Sequence, residues 1–360
     1  MYQNEGTDLL GRFENWWRRD NQGLPLIDLM AYRENADWTL PNPTDLKIKY
    51  LDASYILAVA RQYIRNVRFL LDSYATVGAD LGPGSMALYL GGEPRFARDT
   101  VWFEPCFANC ATFPKLRFDP ENKWWKAHLE LLRSIRTETG KSFLVNIPDL
   151  IENMDIYAAL RGTENTLYDI MDNPEMVEEA VVQMDNVYFR YYDAVYDIVN
   201  DDGVSSYTCF QILGKGRIAK IQCDFSAMIS PAQFRRFVLP SLKKQAKKLD
   251  HSLYHLDGPD AIRHVPAIME IEDLDALQWT CGAGQPDGAS PRWFEIYDQV
   301  TAAGKGLWIQ LYDGGVNDWI RGAESLMERY GKKCFYFHFP TVSEKEADYF
   351  MNYILTHWDH

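Results

Sequence analysis

A histidine and an aspartate lie two residues apart where an apolar run ends in a turn. The run 252–255 ends in His255, and Asp257 precedes the turn residues Gly258 and Pro259. Residues i and i+2 of an extended segment point to the same side. His255 and Asp257 are therefore expected to converge on one point, either as a hydrogen-bonded pair that stabilises the turn or as part of an active site.

Further apolar runs also end in, or next to, polar residues that a turn follows. These residues are Asp224 after the run 217–221, Gln278 in the run 275–279, Gln310 and Asp313 after the run 307–309, and His338 after the run 334–337. Where parallel strands alternate with helices, catalytic groups project from the carboxyl ends of the strands. The sequence therefore predicts one site that these strand ends share.

The residue types at these strand ends suggest a metal site. His255, Asp257 and His338 supply two imidazoles and one carboxylate, a set that suits zinc or iron and leaves positions open for substrate. Asp224 is expected to orient a ligand or to act as a base. The predicted lining of the substrate pocket consists of Gln278, Trp279, Gln310, Asp313, Tyr207 and Trp102. An acid–base pair of His255 and Asp257 that works without metal is the alternative.

The apolar pattern places these residues in an α/β protein. From residue 126 onward, strand-like runs alternate with helical segments of about 10–15 residues, which is typical of βαβ units and a parallel sheet. The number of units favours a closed (β/α)8 TIM barrel over residues 76–360. Residues 1–75 have a helical pattern and are expected to form an N-terminal helical cap, and no linker divides the chain.

The composition indicates a globular protein and argues against two classes of partner. The 360 residues include 37 Lys and Arg against 51 Asp and Glu, a net charge of −14, so nucleic acid and anionic membranes are poor partners. No apolar stretch reaches the roughly 18 residues of a membrane span, and the first residues do not resemble a secretory signal. We expect a cytoplasmic protein whose six cysteines are reduced. Cys281 is predicted to be a buried thiol, with a metal-ligand role as the alternative.

One stretch of the chain resembles a known family. The sequence ISPAQFRRFVLP at 229–240, followed by YHLDG at 254–258, resembles the signature stretch of the uroporphyrinogen decarboxylase superfamily, including its corrinoid-dependent methyltransferase branch. The resemblance runs from about residue 80 to the end and is most specific around 222–260. It implies a (β/α)8 barrel with the active site at its carboxyl-terminal mouth.

The resemblance also implies roles for individual residues. In the methyltransferase branch the matching segment reads His-x-Cys, and both residues bind a catalytic zinc together with a cysteine near the last strand. The zinc activates a thiol that accepts a methyl group from a corrinoid. His255 matches the family histidine, Asp257 stands where the cysteine is expected, and His338 lies near the position of the last cysteine. Such ligands are harder than thiolates, so an oxygen or carbonyl group is as consistent a substrate as a thiol.

Three functions are consistent with these observations. The first is metal-assisted methyl transfer with a separate corrinoid protein as partner, for which the cap and the region 243–248 are candidate contacts. The second is a metal-independent lyase or decarboxylase that acts on a small carboxylated molecule, although the segment 16–19 does not resemble the arginine-rich loop of the true decarboxylases. The third is a non-catalytic protein that binds a tetrapyrrole or another flat ligand. A homodimer is consistent with the family.

Overall fold

The structure, a computed structural model, describes residues 8–359, so residues 1–7 of the predicted cap and the last residue lie outside the described part. The strands are, in chain order, β1 (Leu26–Tyr32), β2 (Val67–Leu71), β3 (Thr76–Val77), β4 (Glu93–Phe96), β5 (Val101–Glu104), β6 (Leu144–Val145), β7 (Val204–Ser206), β8 (Leu213–Lys215), β9 (Ile218–Gln222), β10 (His251–Asp257), β11 (Ala276–Thr280), β12 (Gly306–Gln310), β13 (Phe335–His338) and β14 (Val342–Ser343). The α-helices are α1 (Leu9–Trp17), α2 (Leu46–Leu51), α3 (Ala53–Asn66), α4 (Met86–Tyr89), α5 (Lys123–Thr139), α6 (Asn153–Arg161), α7 (Thr163–Asp172), α8 (Pro174–Val199), α9 (Pro231–Phe237), α10 (Leu239–Ala246), α11 (Val265–Ile268), α12 (Phe294–Ala302), α13 (Val316–Tyr330) and α14 (Glu344–His357).

A succession of parallel strands forms the centre of the fold. The strands pair in the order β9, β10, β11, β12, β13 and β1, so the first strand of the chain lies beside a strand near its end. β1 also pairs with β2 in antiparallel fashion. The last two residues of β1 pair in parallel with β14. Helical segments follow each of β9 to β12 before the next strand begins. The predicted α/β class with a mostly parallel sheet is therefore confirmed.

Shorter pairings occur between β1 and β9 along the chain. β3 pairs in parallel with β6, and Ile147, beyond β6, forms a parallel bridge with Tyr207, beyond β7. β4 and β5 form an antiparallel pair, as do β7 and β8. The backbone N–H of Asp72 donates to the carbonyl of Ile27 at 3.0 Å, which holds the chain that leads to β3 beside β1.

The register of the central strands creates two rows of side chains on one face. The first row contains paired residues from five strands: Gln222, His255, Gln278, Trp308 and Tyr336. The second row lies two residues further along the strands and contains the pair Asp257 and Thr280 and the set Gln310, His338 and Asp28. Because paired residues of parallel strands point to the same side, each row lines one surface. Five of the ten predicted site residues belong to these rows: His255, Asp257, Gln278, Gln310 and His338.

The N-terminal segment combines a helix with a central strand. Trp16 and Trp17 of α1 are buried, and their indole N–H groups donate to the carbonyls of Cys334 at 3.0 Å and Leu213 at 2.8 Å. The helical prediction is wrong for 26–32 and for 67–71, because these segments are the strands β1 and β2. The first six residues of β1 are all buried, as is typical of a parallel strand that is covered on both faces.

No helix within residues 8–359 combines the length and the apolar character that a bilayer span requires. The 26-residue helix α8 shows why length alone is insufficient, since its exposed face carries several acidic residues.

Candidate metal and catalytic site

One imidazole and two carboxylates meet at the carboxyl ends of neighbouring strands. Asp224 lies in the turn after β9, while His255 and Asp257 lie near the end of β10. One ligand atom from each of the three residues lies within 4.8 Å of the other two. His255 is half-buried, and both carboxylates are exposed. We call this group the Asp–His–Asp cluster; its geometry allows three side chains to hold one cation while solvent or substrate occupies the open side.

The imidazole of His255 is oriented by the next strand. Its Nδ1 lies within hydrogen-bond distance of Oε1 of Gln278, and Nε2 of the same amide donates to Oγ1 of Thr280 at 3.0 Å. Because Oε1 can only accept, Nδ1 carries the proton and Nε2 keeps the lone pair that a metal ion needs. Burial, and then the nearby Lys220 ammonium, lowers the pKa of His255. The imidazole is therefore neutral at pH 7.

The carboxylate of Asp224 interacts with a second acidic residue. Its Oδ2 accepts from Nε2 of Gln222 at 2.8 Å, and the same amide nitrogen lies 3.2 Å from Oδ2 of Asp155. Desolvation by the surrounding protein, and then the Asp155 carboxylate, raises the pKa of Asp224 to about 7. Asp257 adds to this shift and Lys220 opposes it. Repulsion between these carboxylates favours a cation at the cluster.

Asp155 holds the turn that carries Asp224. It lies in the first turn of α6, where its Oδ2 accepts from the backbone N–H of Asp224 at 2.9 Å and its Oδ1 from that of Phe225 at 2.8 Å. Sequence reasoning did not identify Asp155, because α6 and β9 are far apart along the chain. The only sequence signal for Asp155 was that this acidic residue stands in the first turn of α6, the helix that follows β6.

A buried ion pair lies deeper along β9. Nζ of Lys220 is 2.7 Å from Oδ2 of Asp149 and also contacts the side-chain oxygen of Gln222, and both charged residues are only 4% exposed. The hydroxyl of Tyr207 donates to Oδ1 of Asp149 at 2.9 Å. Tyr207, which was predicted to bind substrate, is therefore buried and holds the carboxylate of Asp149 in place. Lys220 was not predicted, although a lysine inside the apolar run 218–222 was a visible signal.

His338 does not join the cluster that it was predicted to complete. Its Nδ1 lies 2.6 Å from Oδ2 of Asp28 on the neighbouring strand β1, and its ring stacks on Trp308 with 5.1 Å between centroids. The ligand set that the structure brings together has Asp224 in the place predicted for His338. The physical reason is strand order: β9 adjoins β10, whereas β11 and β12 separate β10 from β13.

Two aromatic rings stand between His255 and His338. The ring of Phe210 lies 5.1 Å from that of His255 and 5.2 Å from that of Trp308, which stacks on His338. The backbone of Phe210 has a φ of 63°, in the left-handed region that a phenylalanine seldom occupies. The indole N–H of Trp308 donates to the Phe210 carbonyl at 2.9 Å and holds this conformation. Such local strain is commonly found at functional sites.

Cavities lie on both sides of the cluster. One, of about 550 Å³, is lined by Asp224, Asp155 and the indole of Trp102, which is 57% exposed. The other, of about 710 Å³, is lined by Asp257 and by the predicted residues Gln310 and Asp313. Trp102, Gln310 and Asp313 are thus placed beside the cluster.

Two other predicted residues are placed differently. Gln278 is 2% exposed and contacts His255 rather than open space. The ring of Trp279 is 1% exposed and packs against Trp293 with 5.0 Å between centroids, and the residue also borders the cavity of about 710 Å³.

Cysteines are not members of the cluster. Cys223 and Cys281 follow site strands but are buried, and Cys281 has its pKa raised to about 12, first by burial and then by nearby carboxylates. Cys334, at the start of β13, also has a pKa raised to about 12 by burial. These thiols remain protonated at neutral pH, so they are poor metal ligands.

No protein-family model matches this sequence, and no curated protein is significantly similar to it.

Proposed function

We propose that this chain is an enzyme that binds one divalent transition metal through Asp224, His255 and Asp257. The observation that carries the proposal is the convergence of one imidazole and two carboxylates to within 4.8 Å. Zinc accepts both donor types, and three protein ligands leave a coordination position for substrate. The contact with Gln278 supports the proposal, because a metal-bound histidine needs a partner for its other nitrogen.

The proposed architecture is a closed (β/α)8 barrel with the cluster at its carboxyl-terminal mouth. Pairing of β1 with β13 supports closure, because it joins the first and last strands of the alternating series. The bridge between 147 and 207 and the contact of 72 with 27 support a continuous path through β3, β6 and β7. In such barrels the working groups sit at the carboxyl ends of the strands, which is where the cluster lies.

The proposed reaction is metal-assisted methyl transfer, in the manner of the corrinoid-dependent branch that the segment 229–258 resembles. A metal at this site would act as a Lewis acid on an oxygen-containing group of a small molecule. Oxygen and nitrogen ligands without a thiolate favour such a hard group over a thiol. In this proposal, residues at the carboxyl-terminal mouth of the barrel hold the substrate, and a separate corrinoid protein carries the methyl group.

Metal content tests the first part of this proposal. Elemental analysis of untagged protein is expected to find about one metal ion per chain in the wild type, with loss of the ion in His255→Ala and Asp257→Ala. Asp313→Ala is the matched control, because it removes a carboxylate that lines the same cavity but lies outside the cluster. No metal after reconstitution with zinc, iron or manganese would contradict the proposal.

Demethylation of free methylcobalamin tests the second part. The metal-loaded protein is expected to remove the methyl group when a small alcohol, phenol or thiol is supplied, as followed by the change in corrinoid absorbance. The metal-free protein is the control. Absence of transfer to every acceptor from a protein that does hold metal would reject methyl transfer while leaving the metal site intact.

A metal-independent lyase is the second candidate, and one observation favours it. Asp155 and Asp224 both accept from the Gln222 amide, and burial, then the Asp155 carboxylate, raises the pKa of Asp224 to about 7, so Asp224 can exchange a proton near neutral pH without any metal. In this alternative His255 and Asp257 act as acid and base on a small carboxylated molecule. Turnover of such a molecule by chelator-treated protein, unaffected by added metal, would select this function over methyl transfer.

A further inference from the structure

We propose that His338, oriented by the buried carboxylate of Asp28, is the proton acceptor for an ionisable group of the substrate whose other end binds at the Asp–His–Asp cluster. The inference rests on the proposed function and deepens it, since it supplies the base that the cluster lacks. The pair joins two neighbouring strands, β1 and β13, in the second row of site residues. We call this pair the Asp28–His338 dyad.

The geometry of the dyad fixes the tautomer of the imidazole. Oδ2 of Asp28 lies 2.6 Å from Nδ1 of His338, while its Oδ1 accepts from the hydroxyl of Ser73 at 2.6 Å. Asp28 is 0% exposed, so its carboxylate is held in place between these partners. Because a carboxylate accepts the Nδ1 proton, Nε2 keeps the lone pair and can act as a base.

The second ring nitrogen of His338 is accessible to solvent. Nε2 has no hydrogen-bond partner among residues 8–359 and is not among the buried unpaired atoms, so solvent reaches it. The ring is held by its stack on Trp308, at an interplanar angle of 19°. In the sheet His338 pairs with Gln310, which lines the cavity of about 710 Å³ that also contains Asp257. His338 therefore lies next to a residue that borders the cavity on the Asp257 side of the cluster.

The surface between the two groups indicates the kind of substrate. The rings of Phe210 and Trp308 connect His255 to His338; Trp308 is 3% exposed, and Phe210 is the partly exposed ring of the two. A molecule with a flat, conjugated part can pack on Phe210, with a polar group at each end. The substrate class that fits is therefore a planar molecule whose ionisable O–H or N–H group reaches His338.

The proton transfer involves only the substrate and His338 and needs no other reactant. The O–H or N–H bond of the substrate breaks, a new N–H bond forms on Nε2 of His338, and the electron pair stays on the substrate atom. That atom can then accept a methyl group. The positive charge on the imidazolium is stabilised by the Asp28 carboxylate, and the proton leaves to solvent from the exposed edge of the ring.

Acylation by diethyl pyrocarbonate tests the dyad without a known substrate. An unprotonated imidazole nitrogen attacks a carbonyl carbon of this reagent and is acylated, and mass spectrometry of peptides measures the rate at each histidine. In the full-length wild type, His338 is expected to react readily at Nε2. Asp28→Asn replaces an acceptor by an amide that can donate to Nδ1, which shifts the proton to Nε2, so the rate at His338 is expected to fall at least about tenfold. Exposed His357, on α14, is the internal control and keeps its rate.

Two outcomes would overturn the proposal: an unreactive His338 in the wild type, or an unchanged rate in Asp28→Asn. Ser73→Ala is the matched variant, because it removes one contact of Asp28 but keeps the carboxylate, and it is expected to change the rate by less than about threefold. If Asp28→Asn does not fold, nitrogen NMR of the wild type, assigned with His338→Gln, must show the Nδ1–H tautomer. Retention of metal in Asp28→Asn separates failure of the dyad from failure of the metal site.

Discussion

Removing the Gln278 amide is expected to weaken metal binding without abolishing it. The substitution Gln278→Leu has a similar volume in a position that is 2% exposed, so the fold should persist. The variant loses the contact with Nδ1 of His255 and the 3.0 Å bond to Thr280. Loss of such a supporting partner typically lowers metal affinity by about 10–100-fold. This corresponds to about 1.4–2.7 kcal/mol of binding free energy.

A competition titration against a chromophoric chelator measures this effect. The dissociation constant for zinc is determined for the wild type, for Gln278→Leu and for His255→Ala, which removes a ligand and should bind much more weakly than either. Gln310→Leu is the matched control, because Gln310 lines the cavity that Asp257 also lines but does not contact His255. An unchanged affinity in Gln278→Leu would refute the idea that this amide orients His255, as would a loss equal to that in His255→Ala.

Three further predictions concern pH and stability. Because the pKa of Asp224 is raised to about 7, zinc must displace a proton from this residue below pH 7. The affinity for zinc is therefore expected to rise about tenfold per pH unit up to pH 7 and then to level off, as measured by the same competition titration. Trp16→Ala removes a fully buried ring and its bond to the Cys334 carbonyl, and guanidinium unfolding should show a loss of about 3–5 kcal/mol. Lys220→Met leaves the buried Asp149 charge without its cation, and the free energy of unfolding should fall by about 3–5 kcal/mol.

Specific results would contradict these three predictions. A slope in the zinc titration that persists in Asp224→Asn would assign the proton to another group. A loss below about 1 kcal/mol in Trp16→Ala would mean that α1 does not close the end of the sheet. In the Lys220→Met variant, a second substitution, Asp149→Leu, should recover much of the lost stability. A further loss would show that the broken ion pair is not what destabilises Lys220→Met.

Much of the α/β alternation could be predicted because each central strand is a short apolar run bounded by turn residues. The expected run 334–338 corresponds to β13, and the run 276–279 corresponds to β11. The strand β1 was missed because a strand buried on both faces shows no alternation of apolar and polar residues. Its single charged residue, Asp28, was the available signal that the segment reaches a site.

The Asp–His–Asp cluster was predictable in part. His255 and Asp257 lie two residues apart on one strand, so local geometry brings them together. Asp224 was expected only in a supporting role, although consecutive βα units usually place their strands side by side, and that rule puts the ends of β9 and β10 in contact.

The partner of His338 could not be read from the sequence. Asp28 lies 310 positions away, and only the pairing of the first strand with β13 joins the two residues. The same holds for Phe210, whose ring enters the site because of an uncommon backbone conformation that no local pattern predicts. Long-range pairing and a strained loop therefore decide which histidine lies in the Asp–His–Asp cluster and which one pairs with Asp28.

The position of the metal ion is the most direct test of this account. Anomalous X-ray diffraction from crystals grown with zinc should show one strong peak in contact with Asp224, His255 and Asp257, and no peak at His338. A peak at His338 or at a cysteine, or no peak at a zinc concentration that saturates the protein in solution, would contradict the proposed metal centre.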